Sequence, residues 1–161
     1  MMKKNRRVFL YDVAGLLGLL LAWMSPKPVL AIDPFYKIDD NVAASGYDVV
    51  AYFTLNSAVK GDPKYQTTYK MNNGKAKFYF SSTENLQLFK SNPKKYAPQF
   101  GGYCAYAVAN NYIASTDPKA FSIFQNKLYL NYNISVRRAW LANRDDYIVK
   151  GKKNWPLLLK Q

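Results

Sequence analysis

The chain has 161 residues, with 23 lysines and arginines against 10 aspartates and glutamates, which gives a formal net charge of +13. It contains no histidine, so Ser-His-Asp triads, Cys-His dyads and histidine-bearing zinc sites are excluded. Cys104 is the only cysteine. The length suits one domain with a hydrophobic core, and the groups available for metal binding or acid–base chemistry are few.

The N-terminal segment has the features of a removable export signal. Arg6 and Arg7 precede a short apolar run at 13–24, and small residues follow up to Ala31. The run is too short to span a bilayer comfortably, which needs about 20 apolar residues. No cysteine lies near the junction, which excludes a lipoprotein anchor. The paired arginines favour a twin-arginine signal over a Sec signal, and predict a periplasmic or otherwise exported chain that begins at Ile32.

Removal of residues 1–31 takes away five basic residues and one acid, so the exported chain keeps a formal charge of +9. Nucleic acid is not expected as a partner outside the cytoplasm. Anionic envelope components or an acidic protein would suit this charge. The alternative interpretation is a plain solvated surface, because the basic residues are spread along the chain.

Secondary-structure signals begin after a leader, residues 32–45, which has no clear period and is expected to be extended or mobile. The apolar run 49–53 predicts a strand. The segments 65–71 and 76–80 flank an Asn-Asn-Gly turn and predict a hairpin. Ser81 followed by Glu84 predicts a capping box and a helix that ends before proline 93.

The C-terminal half is predicted to contain a second hairpin and further helices. Residues 103–108 form an apolar stretch that suits either a helix or a strand. A second hairpin is predicted at 121–124 and 127–132, and a helix at 134–143 with Val136, Trp140 and Leu141 directed inward. A further helical segment is expected at 144–150.

Four segments resemble the exported, single-domain branch of the YHS-domain family. They are GYDVVAYF at 46–53, FYFSSTEN at 78–85, GGYCAYAV at 101–108 and LYLNYN at 128–133. The resemblance covers residues 46–159 and implies a small α+β domain, here with antiparallel hairpins packed against two or three helices. Metal-binding relatives carry two cysteines where this chain has Ser81 and Asn85, so their metal site is not expected here.

Cys104 is the first candidate for a functional residue. A free cysteine most often serves as a small buried hydrophobe. As a soft ligand it could bind copper(I) with Met71, while Asp48 and Tyr106 supply oxygen donors, together with Tyr103 and Tyr47. Two chains could also share one ion through both thiolates. A nucleophilic cysteine is the weaker hypothesis, because no histidine is available as a base.

Asp48 is the second candidate, because it lies at the start of an apolar run. An Asx-turn or capping role at that point is the first interpretation. The functional alternative is a buried carboxylate that faces Cys104. The sequence therefore predicts an exported, non-enzymatic binding module, with a transition metal such as copper as candidate ligand. The first alternative is a metal-free domain that binds a small ligand or another protein. The second is a cysteine-dependent enzyme.

Overall fold

A computed structural model describes residues 31–161, so the predicted signal peptide lies outside the described residues except for Ala31. The described chain is α+β, as predicted, with two sheets and six helices. The strands are β1 (Lys37–Ile38), β2 (Val42–Ala43), β3 (Asp62–Met71), β4 (Gly74–Phe80), β5 (Asp117–Phe124) and β6 (Lys127–Asn131). The helices are α1 (Ala51–Thr54), α2 (Thr83–Ser91), α3 (Pro93–Tyr96), α4 (Ala105–Ala109), α5 (Ile134–Ala142) and α6 (Arg144–Leu158). None of the described helices has the length and apolar character needed to cross a membrane.

The two predicted hairpins are confirmed, one in each of the two sheets. In the first sheet the strand order is β1-β2-β4-β3, with β3 and β4 antiparallel around the Asn72-Asn73 turn. Asn72 has a φ of 52°, a left-handed conformation that asparagine tolerates better than most residues. Strands β5 and β6 pair by themselves in the second sheet, joined at Gln125 and Asn126.

Two short segments differ from the prediction near Asp48 and Ser82, whose side chains accept hydrogen bonds from the backbone. Residues 49–53 do not form a strand. The Asp48 side chain accepts hydrogen bonds from the backbone N–H groups of Val50 and Ala51, an Asx turn that directly precedes the short helix α1. The helix α2 begins one residue later than predicted, because Ser82 rather than Ser81 accepts from the Asn85 N–H. The predicted Ser81–Glu84 capping box is therefore wrong.

The C-terminal helices follow the prediction more closely. Asn133 caps α5 by accepting from the Val136 N–H at 2.8 Å, and Trp140 on this helix is fully buried. Leu141 is 39% exposed, so its inward direction was predicted wrongly. The apolar stretch 103–108, which suited either a helix or a strand, largely forms the helix α4. The last helical segment runs on to Leu158 rather than ending near residue 150.

The buried side chains form two aromatic clusters. The first lies between the larger sheet and α2, where Phe78 stacks on Phe89 with ring centroids 5.0 Å apart. The second surrounds Trp140, whose ring lies 5.2 Å from that of Tyr129. Aromatic pairs at these separations contribute beyond the area that they bury.

The leader, residues 32–45, contains the extended segments β1 and β2 and packs against the rest of the fold. Phe35 is 1% exposed and meets Phe78 edge-on at 5.9 Å. Tyr36 donates its N–H to the Gly101 carbonyl at 2.9 Å. Gly101 has a φ of 61°, and a Cβ there would lie 1.8 Å from the Pro34 oxygen, so only glycine fits this contact.

Replacement of Phe35 by alanine should lower the free energy of unfolding by about 3–5 kcal/mol, because a large ring is removed from the core. Ile38→Ala is the matched control in the same leader, since Ile38 is 40% exposed. It should cost less than about 1 kcal/mol. Urea denaturation measures both values, and equal small losses would show that the leader is not part of the cooperative core.

Ionisation of the Tyr103 hydroxyl couples the stability of the fold to pH in the alkaline range. Its hydroxyl donates to the Asp33 carbonyl at 3.1 Å. Burial, helped by the charge of Asp33 and by Tyr36, raises the pKa of Tyr103 from 10.0 to about 12. A folded-state pKa above the unfolded one gives stability that is complete below pH 10.0 and is lost as the pH rises to about 12.

Unfolding free energies measured across that interval should therefore fall more steeply for the wild type than for Tyr103→Phe. The variant cannot ionise at this position, and it should also be about 1 kcal/mol less stable at neutral pH because one hydrogen bond is missing. Parallel curves for the two proteins would contradict this role of Tyr103.

Candidate functional site

The carboxylate of Asp48 is fully buried and is surrounded by five hydrogen-bond donors. Its Oδ1 accepts from the N–H groups of Val50 at 2.9 Å and Ala51 at 3.2 Å. Its Oδ2 accepts from the Ser81 N–H at 2.8 Å, the Ser81 hydroxyl at 2.7 Å and the Asn85 amide at 2.7 Å. We call this arrangement, formed by Asp48, Val50, Ala51, Ser81 and Asn85, the Asp48 cage.

Local structure places each donor in the cage. Ser81 follows directly on β4, and the cap formed by Ser82 holds the backbone of Asn85 in the first turn of α2. A buried carboxylate is costly unless hydrogen bonds replace its water shell. An ionised carboxylate offers about four lone-pair sites, so five donors leave none for a metal ion or for proton transfer.

Cys104 lies immediately before α4 and is 1% exposed. Its Sγ accepts a hydrogen bond from the Tyr132 N–H at 3.3 Å and has a weak contact with Asn131 Oδ1 at 3.9 Å. The thiol therefore connects the start of α4 with the end of β6. This placement agrees with the interpretation of Cys104 as a buried packing residue.

Asn131 is the residue of this region that sequence reasoning missed. It is fully buried, and its Oδ1 accepts from the Tyr106 N–H at 3.3 Å. Its amide nitrogen has no hydrogen-bond partner among the described residues, and the same holds for the indole nitrogen of Trp140. An asparagine directly after three apolar residues of a predicted strand is the signal that could have identified it.

The structure separates the predicted ligands into three places. Asp48 lies in its cage, and Met71 packs against the first aromatic cluster. Cys104 and Tyr106 are joined through Asn131, and the Tyr106 ring contacts that of Tyr147 at 5.1 Å. Within residues 31–161, no three cysteine, aspartate or glutamate side chains come together in a way that could hold a metal ion.

Comparison of the chain with models of known protein families, with curated proteins and with solved structures gave no match.

Asp48→Asn should be strongly destabilising, by about 3 kcal/mol or more, because the new amide group turns two donors toward the donors of the cage. Asp62→Asn is the control: Asp62 also accepts from a backbone N–H two residues on, that of Lys64, but at the surface. It should change stability by less than about 0.5 kcal/mol. Thermal or urea unfolding measures both, and an Asp48→Asn protein as stable as the wild type would disprove the structural role of the cage.

Proposed function

We propose that the protein is an exported, single-domain member of the YHS-domain family that acts as a non-enzymatic binding module without a resident metal. The observation that carries this proposal is the Asp48 cage. Ser81 and Asn85, which stand where metal-binding relatives have cysteines, both direct their side chains to the Asp48 carboxylate. The positions that bind a metal in those relatives therefore support a structural hydrogen-bond network here.

The four predicted ligands do not fit a copper(I) centre in this arrangement. The cage occupies the lone pairs of Asp48, and Met71 packs against the first aromatic cluster. Cys104 is shielded from solvent and already accepts a hydrogen bond from Tyr132. Copper binding through this thiol stays a prediction of the sequence, and it would require the region around Cys104 to open.

Burial also argues against a cysteine-dependent enzyme. A nucleophilic cysteine must form a thiolate and be reached by substrate. Cys104 is 1% exposed, and its polar neighbours are an asparagine side chain and a backbone N–H, neither of which is a base. These features support a non-enzymatic role for the protein.

Anaerobic copper(I) titration against a competing chelator tests the proposal. Wild type and Cys104→Ser should show the same weak binding, because the buried thiol does not take part. Reaction of Cys104 with a thiol reagent is the accessibility control, and it should be at least about tenfold slower in native protein than in urea. Stoichiometric copper(I) binding that competes with the chelator in the wild type and is lost in Cys104→Ser would overturn the metal-free function.

A further inference from the structure

A cleft at the surface lies between the end of β3, the turn at residues 97–101 and α6. Its volume is about 260 Å³, and its walls include Tyr69, Met71, Phe100 and Trp155. Small-molecule sites usually have volumes of about 300–1,000 Å³. At about 260 Å³ the cleft is smaller than these sites, so its ligand could be no larger than about one substituted aromatic ring.

Two lysines give the cleft a positive charge. Lys94 at the start of α3 and Lys152 in α6 both line it and are both exposed. Neither forms an ion pair within residues 31–161, whereas Lys37, Lys64 and Lys150 each have an aspartate partner there. No carboxylate is present among the described residues that line the cleft, so an incoming anion would meet two unneutralised charges.

The apolar wall of the cleft is held in place by close packing. The Trp155 ring lies 6.2 Å from that of Phe100 and 5.8 Å from that of Tyr103. Gly151 allows α6 to approach, because a Cβ at this position would lie 2.6 Å from the Phe100 ring. Aromatic walls with a few placed charged groups are typical of sites that bind small organic ligands.

We propose that this cleft binds a small organic anion with a flat apolar body, of the class of an aromatic carboxylate. Lys94 and Lys152 attract and hold the anionic group, while Met71, Phe100 and Trp155 contact the ring. The proposal rests on the function proposed above, a binding module without metal, and it names the site and the chemical class of the ligand. The positive charges of the two lysines attract the carboxylate, the apolar wall contacts the ring, and the cleft of about 260 Å³ holds a molecule of that size.

The test is a two-dimensional NMR titration of the protein with benzoate, in which the indole N–H signal of Trp155 is followed. Benzyl alcohol is the neutral probe and acetate the anion without a ring. The double variant Lys94→Gln/Lys152→Gln removes the charges of the cleft. Lys90→Gln/Lys153→Gln is the matched control, because it removes the same charge from exposed lysines that do not line the cleft.

Benzoate should shift the Trp155 signal in a saturable way, with an affinity at least about tenfold higher than those of benzyl alcohol and acetate. The cleft variant should lose at least about tenfold in affinity, while the control variant should bind as the wild type does. Absence of saturable benzoate binding, or an equal loss in both variants, would overturn the proposal. Copper(I) bound stoichiometrically through Cys104 would instead refute the metal-free function, so the two failures are distinguishable.

Discussion

The buried carboxylate of Asp48 connects three parts of the fold, because its oxygens accept hydrogen bonds from α1, from the end of β4 and from α2. The Asp48 N–H also donates to the Val59 carbonyl, which holds the chain that leads into β3. A charge without water requires such donors, so the side chains of Ser81 and Asn85 must point inward. In the described structure these two side chains therefore serve the burial of the Asp48 carboxylate.

The parts of the fold that could be predicted from the sequence are those with local signals. The Asn72-Asn73-Gly74 turn marks the first hairpin, and the apolar spacing around Trp140 marks α5. The segment before α1 has the pattern of a strand because Val49 and Val50 are β-branched. In the structure the Asp48 carboxylate accepts hydrogen bonds from the N–H groups of Val50 and Ala51, and the chain turns into a helix. The leader was missed because Phe35 meets Phe78 only in the folded chain and no period reveals the contact.

The candidate site was predictable in part. An Asx-turn or capping role was the first interpretation of Asp48, and its Oδ1 accepts from the N–H groups of Val50 and Ala51, before a helix in place of the expected strand. The sequence singled out Ser81 and Asn85 only through the family resemblance, as the places where metal-binding members of that family have cysteines, since hydrogen bonds between residues distant in the chain leave no local pattern. The cleft was not foreseen for the same reason: Lys94 and Lys152 lie on separate helices, and only the tertiary structure places both beside Trp155.

The metal content of the protein, purified without chelators from the cells that produce it, tests the central claim most directly. The account holds that Ser81 and Asn85 donate hydrogen bonds to the Asp48 carboxylate and that Cys104 is buried. It therefore predicts transition-metal content far below stoichiometric in both the wild type and Cys104→Ser. A stoichiometric transition metal in the wild type that is absent from Cys104→Ser would contradict it.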